Sequence, residues 1–164
     1  MIIHRESIMM YKFSVVAGLA TALLLPLGAT ADEPHAVARA DSIQWAPAPP
    51  AFPKGAQIAV LFGDPTKDGQ FVYRLKLPAG YKVPAHLHPN DENVTVLSGT
   101  LHIGTGDKLD ETKGEALEAG GYVHMPQGMH HYAWFTQDTI IQLNGVGPTG
   151  ITYVNPADDP RKTN

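Results

Sequence analysis

Three histidines and one carboxylate have the types and the spacing to hold a metal ion. His86 and His88 lie two residues apart in a segment that reads as extended, so both imidazoles leave the same face of a strand. Glu92 follows across a turn at residues 89–91. It opens the next strand, where its carboxylate can swing back toward the two rings. A further ligand has to come from elsewhere in the chain. His131 is the best placed, because it follows the turn Pro126-Gln127-Gly128 and opens another strand. Neutral imidazoles with one carboxylate form a borderline donor set, suited to one divalent transition metal ion: Mn, Fe, Co, Ni, Cu or Zn. The chain has no cysteine, which removes thiolate ligands, a cysteine nucleophile and disulfides from consideration.

The elements that must position these side chains read as short strands. Residues 71–77 alternate, with Phe71, Tyr73, Leu75 and Leu77 on one face and Val72, Arg74 and Lys76 on the other. Further strands are expected at 58–62, 82–88, 92–97, 100–103, 122–125, 131–135, 139–143 and 151–154, separated by Gly, Pro, Asn and Asp turns. The polar stretch 104–118 could hold one helical turn but reads mostly as loop. Many short strands with regular turns predict an all-β sandwich or barrel in a single domain. The same alternation puts His130, His124 and His102 on outward faces, reads Arg74 as solvated, and gives Tyr73 and Trp134 packing roles. His35 lies apart, in the N-terminal arm.

The stretch Gly80-x5-His86-x-His88-x3-Glu92-x6-Gly99 resembles the first motif of the cupins, and Gly120-x5-Pro126-x-Gly128-x2-His131 resembles the second. The resemblance implies a cupin jelly-roll β-barrel over residues 57–155. It also implies a metal inside the barrel on His86, His88, Glu92 and His131, with open positions for water or substrate. One departure stands out. The family's second motif usually ends in Asn, and this chain has Phe135. With His131, Ala133 and Phe135 facing inward, the pocket wall is expected to be apolar. Val94 and Val96 share the Glu92 face and are candidate pocket residues beside Phe135. Gln142 and Asn144 are candidate polar groups of the same pocket.

What the resemblance implies about activity is a metal-dependent enzyme of oxygenase, isomerase or lyase type on a small organic substrate. The alternative is a non-catalytic exported module that binds a small molecule or metal. The formal net charge of −4 and the lack of a basic cluster argue against a nucleic-acid partner.

The N-terminus reads as a targeting segment. Arg5 and Lys12 precede an apolar run at 13–27, and Ala29-Thr30-Ala31 fits a small-x-small cleavage site. Residues 1–31 are therefore expected to be a signal peptide. The mature protein is expected to be periplasmic or secreted and to keep no membrane span. Residues 32–56 form a Pro-rich extended arm whose Trp45 and Phe52 can dock on the barrel or on a neighbouring subunit. A homodimer is expected, and residues 156–164 read as a tail.

Overall fold

Alternation in the sequence becomes alternation in burial. In the computed structural model, which describes residues 35–162, β3 (Gly69–Leu77) buries Phe71, Tyr73, Leu75 and Leu77 and turns the residues between them outward. Segment 1–31, which the sequence reads as a signal peptide, lies outside the described residues.

Two antiparallel sheets face each other. In spatial order the six-stranded sheet runs β1 (Ala46–Pro47), β2 (Gln57–Phe62), β3, β10 (Thr139–Gly147), β5 (Glu92–Ser98) and β8 (Tyr122–Met125). The five-stranded sheet runs β11 (Thr152–Tyr153), β4 (Lys82–Leu87), β9 (His131–Trp134), β6 (Thr100–Thr105) and β7 (Glu115–Glu118). The main core lies between them, from Phe71, Leu75 and Leu77 on one side to Val83, Leu101 and Phe135 on the other. A smaller cluster of Ala85, Tyr132 and Trp134 packs on the other face of the five-stranded sheet. It is tied down by the Tyr132 hydroxyl, which donates to the Asp110 and Lys113 carbonyls at 3.3 Å. Among the described residues, no helix is long and apolar enough to cross a membrane.

Three sequence readings need correction. The stretch 104–118 is not loop throughout, since Glu115–Glu118 pairs with β6 as an edge strand. Its two glutamates hid it, and charge on an edge strand is what guards it from unwanted pairing. β10 continues four residues past Leu143, through Asn144, Gly145 and Val146 to Gly147. Gly145 is a place where a Cβ would come 3.1 Å from the Phe71 ring. Third, β4 does not run as one regular strand. Its pairing with β9 steps from Val83↔Ala133 to His86↔His131, so three residues on β4 match two on β9. This β-bulge switches the inward phase from odd to even positions. Val83 faces the core before the bulge, His86 after it, and Ala85 packs on the outside.

Two glycines hold turns that other residues would strain. Gly99, between β5 and β6, has φ +76°, and a Cβ there would lie 2.4 Å from Thr139 Oγ1. Gly128 has φ +75° and donates its N–H to the His88 carbonyl at 3.0 Å. That bond ties the turn before His131 to the strand that carries His86 and His88.

The arm is part of the structure around the core. Ala46 pairs with Ile58, Ala48 N–H donates to Ala56 at 3.0 Å, and Phe52 packs against the core. Two buried tyrosines grip it. The Tyr81 hydroxyl donates to the Pro53 carbonyl at 2.7 Å, and the Tyr153 hydroxyl donates to the Ala51 carbonyl at 2.8 Å. At the other end of the chain, the buried Asp159 pairs with Arg161 at 2.7 Å.

Candidate metal centre

The bulge in β4 and the register of β9 put His86 directly opposite His131 in the five-stranded sheet. His88 follows just past the end of β4, and Glu92 reaches across from the first position of β5 in the facing sheet. All three histidines are buried. One ring nitrogen from each lies within 4.8 Å of the other two, a grouping that can hold a metal ion. Glu92 completes the cluster, with Oε1 3.4 Å from His88 Nε2 and Oε2 3.5 Å from His131 Nε2.

The histidines share a hydrogen-bonding pattern that fixes their chemistry. His86 Nδ1 meets the Pro84 carbonyl at 2.7 Å, His88 Nδ1 meets the Gly150 carbonyl at 2.6 Å, and His131 Nδ1 meets the Met129 carbonyl at 3.0 Å. A carbonyl only accepts, so each neutral ring carries its proton on Nδ1 and presents the Nε2 lone pair. Such outer partners orient metal-ligating histidines and set their tautomer. His88 Nε2 is buried and makes no hydrogen bond. A polar atom is seldom left so in a folded interior, and a cation at the centre of the cluster would satisfy it. The donors therefore fit the ion that the sequence implies.

The electrostatics agree. Burial, then the nearby His131 and His88, push the His86 ring down from 6.5 to about 3, so it is neutral and able to ligate. Burial alone would raise the Glu92 carboxyl. The three imidazoles, which carry positive charge whenever protonated, outweigh it, with His88 foremost, and hold Glu92 at about 2. Burial also pushes the Tyr73 phenol up, and the Glu92 charge adds to that.

A cavity of about 40 Å³ adjoins the cluster. Its wall includes Phe52, Leu75, Val94, Leu101 and Phe135 beside the four candidate ligands. Val94 and Phe135, candidate pocket residues of the sequence, line this cavity. Val96 does not line the cavity; it is packed in the core at 1% exposure. Gln142 and Asn144 also need correcting, because Ile141 and Leu143 are the residues of β10 that face the cavity. Period-two alternation then turns Gln142 and Asn144 outward. There Gln142 Oε1 accepts from Arg74 Nε at 3.0 Å, and Asn144 is exposed. Phe52 was read as a docking residue, not as part of the cavity wall, and nothing in its local sequence gives its target.

Three further histidines among the described residues are engaged elsewhere. His130 meets Asp107 at 2.6 Å, His102 stacks on Trp134 with ring centroids 5.0 Å apart, and His124 lies 3.2 Å from Asn93 Oδ1.

A family model described as the ChrR cupin-like domain matches residues 33–149. No curated protein matches the chain. Among solved structures, a candidate acetylacetone dioxygenase from Methylibium petroleiphilum PM1 aligns with TM-score 0.61 at 22% identity, covering 80% of this chain and 89% of that one. A polyketide cyclase from Streptomyces resistomycificus aligns with TM-score 0.60 at 17% identity, over 76% of this chain and 88% of that one. An acetylacetone dioxygenase from Acinetobacter johnsonii aligns with TM-score 0.56 at 17% identity, over 78% and 85%. At such identities the likeness speaks for the fold alone.

Proposed function

The chain belongs to the ChrR cupin-like domain family of cupins, and from that premise we propose that it is a metal-dependent enzyme acting on a small organic substrate. Its reaction would be of the oxygenase, isomerase or lyase type, with His86, His88, Glu92 and His131 holding one divalent ion. The observation that carries this reading is the shared tautomer: three Nδ1–H groups held by backbone carbonyls, and three Nε2 lone pairs turned to one place.

When bound, the ion supplies Lewis acidity or, if redox-active, oxygen chemistry. The protein's own groups do the rest. Glu92, held anionic, offsets part of the cation's charge. Val94, Leu101 and Phe135 keep bulk water from the cluster, which strengthens every electrostatic contact there. A carbonyl behind each ring keeps the lone pairs aimed without reorganisation.

A cavity of about 40 Å³ has room for roughly three waters beside the ligands. Alone it would suit a metal-binding module as well as an enzyme.

Elemental analysis of purified protein tests the centre. About one ion per chain is expected. A structural metal in a small domain contributes about 10–16 kcal/mol. Shared over four ligands, His86→Ala or His131→Ala should therefore weaken binding by roughly 100-fold or more. His130→Ala and His124→Ala should keep the metal. Full retention in His131→Ala with loss in His130→Ala would overturn the assignment. Absence of metal-dependent turnover across a panel of small carbonyl compounds would leave the binding module as the reading.

A further inference from the structure

Phe52 and His88 line two cavities, not one. On one side lies the space of about 40 Å³ beside the candidate ligands, and on the other a cleft of about 170 Å³. The walls of the cleft are largely apolar and come from both the arm and the barrel: Pro49, Ala51, Ile58, Pro65 and Ile151. Its size is close to that of a 150 Å³ apolar cavity that takes up benzene.

One group in that wall is out of keeping with it. Tyr73 lines the cleft and is only 6% exposed, yet its hydroxyl makes no hydrogen bond with the described residues. His88 Nε2 is the fully enclosed polar side-chain atom without a partner among the described residues. The Tyr73 oxygen is therefore not fully enclosed, and the cleft is the space its residue lines. Phenylalanine would pack as well against Phe71, with which the Tyr73 ring stacks at 5.4 Å. The hydroxyl adds only polarity, at a place where an unpaired donor is costly. The other polar groups of the wall are accounted for. Thr66 donates to Asp64 Oδ1 at 2.7 Å, His88 Nδ1 to the Gly150 carbonyl at 2.6 Å, and Thr149 is only half-buried, with water within reach.

We propose that this cleft is the substrate pocket, and that the Tyr73 hydroxyl is the donor that orients a compact, ring-sized, mostly apolar molecule through one oxygen acceptor, such as a ketone carbonyl. The word substrate rests on the enzyme reading above; the binding does not. A molecule held there lies against Phe52 and His88, the two residues that the cleft shares with the cavity beside the candidate ligands.

The test uses the full mature protein, with its metal and after chelator treatment, and two probes of one shape. Cyclohexanone carries the acceptor, and methylenecyclohexane replaces the oxygen with carbon. Affinities are read by ligand-observed NMR titration, with metal content measured in the same samples. Tyr73→Phe is expected to weaken cyclohexanone by about 2- to 10-fold, the range of one neutral hydrogen bond. It should leave methylenecyclohexane within about twofold, and the metal content unchanged. Ile58→Phe, which fills the cleft, should weaken both probes. The contrast should persist without metal, so failure of the metal assignment would leave this result standing. The proposal is overturned if Tyr73→Phe affects both probes alike, if Ile58→Phe affects neither, or if cyclohexanone does not bind.

Discussion

The seat of Phe52 depends on two phenols, and removing their hydroxyls gives a quantitative check on the arm. Tyr81 and Tyr153 donate to the carbonyls on either side of Phe52, at 2.7 and 2.8 Å. Burial raises both phenols, Tyr153 to about 12, so both stay protonated donors at neutral pH. The perturbation is the double variant Tyr81→Phe with Tyr153→Phe, which keeps both rings and their packing. Each lost bond costs about 1 kcal/mol net. The two act on one short segment and share its opening, so their sum, about 2 kcal/mol, carries some coupling. That corresponds to a roughly 30-fold rise in the population of the open arm. Hydrogen exchange reads it directly at Phe52 N–H, bonded to the Pro49 carbonyl at 2.9 Å, and at Ala48 N–H, bonded to Ala56 at 3.0 Å. Exchange at both should quicken by about 30-fold, while β3 and β10 keep their protection. Unchanged exchange at Ala48 and Phe52 would refute the reasoning. So would a rise of equal size across β3, because that would mean the tyrosines hold the whole barrel and not the arm.

Other outcomes follow from the same residues. In metal-free protein the unfolded chain protonates the His86 ring below pH 6.5, and the folded one does so only near 3. Stability should therefore fall as pH drops through that window. Glu92, lowered from 4.5 to about 2, loses its contribution as pH falls through the lower part of it, so thermal melts should decline steeply on the acid side. Gly99→Ala places a Cβ 2.4 Å from Thr139 Oγ1 at φ +76° and should cost about 1–3 kcal/mol for the backbone alone, read by denaturant unfolding. Cleavage after Ala31 should give an exported protein that begins at Asp32; an intact mass that still includes Met1 would exclude it. A homodimer is expected from light scattering at micromolar concentration, and a monomer there would count against it.

How much of this the sequence showed depends on whether the deciding contact was local. The strands around Tyr73, Glu92 and His131 follow from period-two alternation and turn residues, and the candidate ligands stand in two motifs of fixed spacing. The misses are long-range. Glu115–Glu118 is a strand because β6 lies beside it, not because of its own residues. Gln142 and Asn144 were read correctly as sharing a face, but which face is inside is set by the partners β3 and β5. Phe52 sits in a proline-rich run whose target is fixed by tyrosines 29 and 101 positions downstream. Nothing in its own neighbourhood points to them.

The bulge in β4 has a meaning beyond geometry. Parity alone would keep both side chains inside with one residue fewer, since Val83 and His86 would then stand two apart. What the extra residue adds is a carbonyl outside the ladder, that of Pro84, facing His86 Nδ1. A chain shortened by one residue at 84–85 would still aim His86 at the centre. Its ring would then lack the acceptor that holds its proton on Nδ1, and the proton could sit on Nε2, where a lone pair is needed. One surplus residue thus acts as a chemical instruction: it tells a histidine which of its two nitrogens to leave bare.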